Sequence, residues 1–230
     1  MPVYLLSDEI VFPPPDLASR EGLLAIGGDL CQERLIQAYS MGIFPWYAET
    51  EPIMWWSPDP RLVLYPAELK ISKSLSKTIK KRLFKVTMDK AFESVIKACA
   101  SSRTQMQEGT WIVNDMISAY CRLHESGLAH SVETWQDGKL AGGLYGVSLG
   151  SCFFGESMFT RITDASKVAF VALVEHLKAL NFNLIDCQIT TAHLLSFGAR
   201  EISRARFLEE LKKSLKSPTL KGKWSFSTGE

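Results

Sequence analysis

The dipeptide Asp137-Gly138, set between the runs His130 to Trp135 and Lys139 to Ser148, constrains this chain more than any other feature. Such a short connection needs turn residues that tolerate a left-handed backbone, so the two runs must fold back on each other as antiparallel strands. A third strand, Cys152 to Phe159, follows closely. A helix from Ala165 to Leu180 then presents Val168, Val171, Ala172 and Leu177 as a core face and leads into a strand at Leu184 to Gln188. Ahead of the hairpin the pattern predicts a strand over Arg61 to Tyr65, a helix over Lys70 to Arg82 and a strand over Phe84 to Met88. Two helices come next, Ala91 to Ala100 and Ile112 to Glu125, the second closed by Gly127. A last helix is expected from about Arg204 to Leu215, followed by a loose tail over 217–230. The fold class expected is α+β, with a mixed sheet.

The first 60 or so residues are different in kind, rich in Pro, Gly and Trp, with a short helix through Leu35 and Tyr39 ended by Gly42. They read as a small turn-heavy N-terminal domain over 1–60, ahead of a main domain over 61–216. The whole chain has 230 residues, 46% hydrophobic and 22% charged, which is the balance of an ordinary globular protein. Its net charge of +1 gives no global attraction to nucleic acid, so any such binding requires a local patch. The start lacks a basic segment followed by an apolar one, and no apolar run is long enough to span a bilayer, so a cytoplasmic protein with no membrane contact is expected. Five cysteines without a C-x-x-C pair read as reduced core thiols, and His124, His130, His176 and His193 lack ligand spacing; no metal is expected. No self-complementary apolar repeat is visible, so the expected state is a monomer.

Polar chemistry concentrates in Leu184-Ile185-Asp186-Cys187-Gln188, where strand alternation would turn Asp186 and Gln188 to one face and Ile185 and Cys187 to the other. Buried polar groups need partners, and either a site or neighbouring backbone supplies them. A second isolated acid, Glu156, follows Gly155, a glycine that marks a bulge or a close approach. Two acids and an amide on one sheet are suited to proton handling or to orienting an amine. Between Lys70 and Lys85 lie seven basic residues and no acid, with Lys70, Lys73, Lys77, Lys80 and Lys81 on a stripe opposite Ile71, Leu75, Ile79 and Leu83. A solvated helix face is the plain alternative, but a stripe of one sign repels itself, which points to phosphate-backbone binding. Trp46, after the rigid Phe44-Pro45, offers a stacking platform for a base, whereas Trp55 and Trp56 read as core aromatics. Thr190 and Thr191 suit a helix entry, and His193 beside them suits a structural role better than a catalytic one.

Phe44-Pro45-Trp46, Trp55-Trp56-Ser57-Pro58, Gly109-Thr110-Trp111-Ile112, Gly155-Glu156-Ser157-Met158-Phe159 and Ile185-Asp186-Cys187-Gln188, in this order, resemble the leucyl/phenylalanyl-tRNA-protein transferase family over nearly all of 1–215. The resemblance implies a small N-terminal domain joined to a C-terminal domain of the acetyltransferase (acyl-CoA N-acyltransferase) type. It also implies transfer of Leu or Phe, and weakly Met, from aminoacyl-tRNA to proteins that begin with Arg or Lys, marking them for degradation through the N-degron pathway, without ATP, metal or any other cofactor. Carried onto this chain, it makes Gln188 the contact of the attacking amine, Asp186 the base end of a relay, and Glu156 the holder of an amino group. Trp46 and Trp111, with Tyr39 and Tyr120 nearby, would line the terminal adenosine site. Leu144, Phe153, Met158 and Phe170 would form the side-chain pocket; the family often has Met where this chain has Leu144, a volume-conserving change. Lys73, Lys77, Lys80, Lys81, Arg82 and Lys85 would meet the tRNA. An acetyl-CoA-dependent N-acetyltransferase fits less well, because Arg161-Ile162-Thr163-Asp164-Ala165-Ser166 has no glycine for a pyrophosphate loop. A non-catalytic tRNA-binding module would leave Asp186, Gln188 and Glu156 idle.

Overall fold

The Asp137-Gly138 turn has φ of 51° and 72°, the pair of left-handed residues that a two-residue hairpin requires. It joins β7 (Ala129–Gln136) to β8 (Lys139–Leu149) in antiparallel register, Gln136 opposite Lys139. The computed structural model describes residues 3–105 and 112–226. Its elements in chain order are β1 (Tyr4–Leu6), β2 (Leu23–Gly27), α1 (Gln32–Ser40), β3 (Phe44–Pro45), β4 (Met54–Trp56), β5 (Arg61–Leu64), α2 (Lys73–Lys80), β6 (Lys85–Met88), α3 (Phe92–Gln105), α4 (Asn114–Glu125), β7 and β8. They continue with β9 (Cys152–Thr160), α5 (Ala165–Ala179), β10 (Leu184–Gln188), α6 (Ala192–Ser196), β11 (Arg200–Ile202) and α7 (Arg204–Ser214).

The fold is α+β. A four-stranded sheet, β1-β2-β4-β3, belongs to the N-terminal region, and a seven-stranded mixed sheet, β11-β5-β10-β9-β8-β7-β6, forms the rest. In the larger sheet only β9 and β10 run parallel, connected through α5; the other neighbours are antiparallel. One face packs on α3, α4 and the N-terminal region around Val95, Tyr120, Phe154 and Trp55, and the other packs on α5 around Leu144, Phe153, Val174 and Leu177. A Cβ at Gly142 would stand 2.7 Å from the Cβ of Ala165, so glycine there lets α5 sit directly on the sheet.

Side-chain caps set the start of three helices. Ser72, Thr191 and Ser203 accept the backbone N–H of Leu75, Leu194 and Arg206. The Ser72 cap shortens the basic helix to α2, so Ile71 and Leu83 lie outside it and are exposed, while Leu75 is buried and Ile79 half-buried. The apolar stripe expected over the longer helix is therefore only its middle part.

Within the tail expected to be loose, the described part is docked through Thr219 and Trp224. Trp224 is buried, its ring centroid 3.7 Å from that of His130 and nearly parallel to it, and its backbone N–H donates to Asp89 Oδ2 at 2.6 Å. Terminal position suggested looseness; a single indole and a buried carboxylate hold the segment around Trp224 in place. No helix among the described residues is long and apolar enough to cross a membrane.

Candidate active site

Strand alternation fails at two neighbouring places, and the site lies where it fails. Between β8 and β9, Tyr145 pairs with Ser157 and Gly146 with Gly155, which leaves Glu156 as the extra residue of a bulge. Gly146 is required opposite it, since a Cβ there would come within 2.2 Å of the Phe154 carbonyl oxygen. Between β5 and β10, Asp186 pairs with Val63 and Gln188 with Leu62, so Cys187 is extra. Gln188 takes φ of 60°, a left-handed conformation that costs a non-glycine residue on the order of 1 kcal/mol or more, and its N–H donates to Asp186 Oδ1 at 2.9 Å. Asp186 and Gln188 consequently do not share a face, contrary to the alternation expected.

Gln188 opens into a cavity of about 430 Å³ between α5 and the sheet. The apolar lining includes Leu144, Phe153, Met158, Phe170 and Leu173, the polar end is formed by Glu156 and Gln188, and Trp46 stands at the margin. Trp46 is 37% exposed, tilted against Trp56 at 5.5 Å, and its carbonyl accepts the Trp56 indole N–H. Trp55 is fully buried, as expected of a core aromatic.

Glu156 is buried and receives three donors: Tyr39 Oη at 2.7 Å and Gln188 Nε2 at 2.8 Å on Oε1, and Tyr120 Oη at 3.1 Å on Oε2. The two tyrosine hydroxyls also touch each other, so their two protons serve three contacts and no more than two are donated at once. Burial raises the Glu156 pKa to about 7, against the three hydrogen bonds, which favour the anion. Burial, and then the charge of Glu156, hold Tyr39 and Tyr120 well above the usual phenol range, so both hydroxyls keep their protons. A carboxylate offers about four acceptor positions, so Glu156 retains one for an incoming N–H.

Asp186 does not line the cavity. It is fully buried and clamped by Arg61, Nε to Oδ1 at 2.8 Å and Nη2 to Oδ2 at 2.6 Å. The Arg61 guanidinium is in turn flanked by the rings of Phe44 and Phe207, at 4.8 and 4.6 Å. Asp186 thus stands behind the cavity, with its carboxylate held by Arg61 and by the Gln188 N–H. Sequence reading missed Arg61 as a site-shaping residue, although a lone cation heading the apolar strand Arg61-Leu62-Val63-Leu64 was the available signal. It also missed Leu173, Ile185 and Cys187 on the cavity wall.

His193 follows the Thr191 cap as expected and lies edge-on to Phe197 at 5.2 Å, in the cavity wall; burial and nearby Lys167 lower its pKa. Lys73, Lys77, Lys80, Lys81, Arg82 and Lys85 are all exposed. Trp111, with Gly109 and Thr110, lies outside the described residues. Among the described residues no group of three or more His, Cys, Asp or Glu side chains is gathered so as to hold a metal ion.

A family model described as leucyl/phenylalanyl-tRNA protein transferase matches residues 63–212, and one for the N-terminal domain of the same family matches residues 28–59. The chain belongs to this family. A leucyl/phenylalanyl-tRNA--protein transferase of Desulfatibacillum aliphaticivorans is 59% identical over 228 residues, covering 99% of this chain and 98% of its own. One of Syntrophobacter fumaroxidans is 62% identical over 215 residues, covering 94% and 92%. Among solved structures, an aminoglycoside acetyltransferase from an uncultured soil metagenomic sample aligns with a TM-score of 0.41 and 11% identity over 51% of this chain and 86% of that one. For this transferase family member, the cavity with its Glu156–Gln188 end is the candidate active site.

Proposed function

We propose that the enzyme moves leucine or phenylalanine, and weakly methionine, from aminoacyl-tRNA to the N-terminal amine of proteins that begin with Arg or Lys. The observation that carries this reading is the union, in one cavity, of an apolar wall (Leu144, Phe153, Met158 and Phe170) with a polar end that has an acceptor to spare. The Leu or Phe side chain fills the apolar part, and Trp46 stacks on the terminal adenine. Glu156 takes the α-amino group of the aminoacyl moiety. Gln188, whose Nε2 is committed to Glu156, keeps its carbonyl oxygen to accept an N–H from the attacking amine.

An aminoacyl ester is already activated, so the main task is alignment, which supplies about 7 to 11 kcal/mol of a barrier. The amine nitrogen bonds to the ester carbonyl carbon, the carbon–oxygen bond to the ribose breaks, and the proton lost by the amine ends on the released ribose hydroxyl. Asp186 contributes by fixing the left-handed turn that aims Gln188, with Arg61 balancing its charge. Lys73, Lys77, Lys80, Lys81, Arg82 and Lys85 bind the tRNA phosphates. On this reading the protein works as a cytoplasmic monomer, and its products enter degradation.

The test is transfer of label. Purified protein is incubated with labelled leucyl-tRNA, or with labelled acetyl-CoA, and a peptide beginning with Arg. Label from the tRNA alone is the expected result; label from acetyl-CoA would support an acetyltransferase, and tRNA binding without label a binding module.

A further inference from the structure

We propose that Glu201 is the specificity-determining residue that reads the basic side chain of the acceptor's first residue. The proposal rests on the transfer reading above and goes beyond it by naming the acceptor subsite. Leu62 of β5 pairs with Gln188 of β10 on one side and with Glu201 of β11 on the other. Gln188, Leu62 and Glu201 thus form one row across three strands, and Leu62 packs in the core on the α5 face, the face that holds the cavity. In edge strand β11 the neighbour Ile202 packs in the opposite core, as alternation requires if Glu201 faces the cavity side.

Two strand spacings separate Gln188 from Glu201, roughly 10 Å between backbones. An extended arginine places its guanidinium ~7 Å from its own α-nitrogen, and a glutamate side chain covers the remainder. An amine held at Gln188 therefore puts an Arg or Lys head group within reach of the Glu201 carboxylate. Leu62 itself is buried in this row, and the exposed residues Ile189 and Thr191, which line the cavity, flank Thr190, the hydroxyl partner of Glu201.

The carboxylate is prepared for a cation and lacks one. Thr190 Oγ1 donates to Glu201 Oε1 at 2.6 Å, which orients the group and leaves Oε2 unused. The adjacent Arg200 is committed elsewhere, to Glu68 through contacts of 2.7 and 3.1 Å. Among the described residues Glu201 has no ion-pair partner.

The experiment crosses residue charge with ligand charge. Transfer of leucine from saturating leucyl-tRNA is measured to two peptides, one beginning with Arg and the other with citrulline, its neutral near-isostere, by the wild-type chain and by Glu201→Gln. The expected result is a preference for Arg in the wild type that falls about two- to fivefold in Glu201→Gln, the upper range for an exposed charge pair. The fall should come through KM for the Arg peptide, with KM for leucyl-tRNA and the thermal midpoint unchanged. Glu201→Lys should lower transfer to the Arg peptide further while sparing the citrulline peptide. An Arg-to-citrulline ratio equal in wild type and Glu201→Gln overturns the proposal while leaving the transfer reading intact. A wild-type chain that moves leucine to neither peptide overturns both.

Discussion

Replacing Gln188 by Asn separates its two tasks, holding a left-handed backbone and presenting an amide to Glu156. Asn tolerates that backbone better than most residues, so the N–H bond to Asp186 survives, but the shorter side chain no longer spans to Oε1. A hydrogen bond to a charged group is worth about 1.5 to 3 kcal/mol, so turnover should fall roughly 10- to 100-fold. The thermal midpoint, read in the same preparations, should stay near wild type. Asp186→Ala behaves in the opposite way: it leaves Arg61 buried without its carboxylate, and denaturant unfolding should show a loss of about 3 to 5 kcal/mol. Glu156 adds a pH dependence. Its folded pKa of about 7 lies above the ordinary 4.5, so its contribution to stability is complete below pH 4.5 and is lost as pH rises through about 7. Stability measured in urea should decline across that window by an amount on the order of 3 kcal/mol, and Glu156→Gln should remove this decline. Of these residues, Glu156 and Gln188 were legible as lone polar groups in apolar runs. The clamp on Asp186 was not, because Arg61 lies 125 positions away and only the sheet pairs them.

Element boundaries followed the local chemistry wherever caps and turns spoke clearly. β10 begins and ends where its apolar run does, and the hairpin turns at Asp137-Gly138. The small N-terminal strands were missed, since β1, β3 and β4 have three, two and three residues, too few to show a period. The site itself was blurred for a related reason: period-2 reasoning assumes unbroken ladders, and here two adjacent bulges turn Glu156 and Gln188 toward each other. Gly155 hinted at one bulge; nothing local marked the other. At this scale α2 makes a prediction of its own. It is tied to the long helix by Thr78 donating to Asp164 and presents Lys73, Lys77 and Lys80 to solvent. Reversing those three charges should weaken tRNA binding and flatten its salt dependence, log Kd against log salt losing roughly 0.7 to 0.9 in slope per phosphate contact removed. Transfer from a short aminoacyl oligonucleotide should be untouched.

Across the whole molecule, the carboxylate at the centre of the site is assembled from distant parts. Tyr39 comes from α1 in the N-terminal region, Tyr120 from α4, Glu156 from β9 and Gln188 from β10. The C-terminal segment closes the opposite side: Asp89 accepts the N–H of Trp224 and of Ser131 and pairs with His130, and Trp224 lies 6.2 Å from Phe153 of the cavity wall. Trp224→Ala should therefore destabilise the protein by about 3 to 5 kcal/mol in denaturant unfolding, the range for emptying a buried aromatic site. The measurement that tests the account most directly is single-turnover transfer of labelled leucine from leucyl-tRNA to an Arg-peptide, by wild type and by Gln188→Ala, with tRNA affinity measured in parallel. The account predicts transfer by the wild type and a rate at least about tenfold lower in the variant at equal tRNA affinity. A variant that transfers at the wild-type rate, or a wild type that binds the tRNA and transfers nothing, would contradict it.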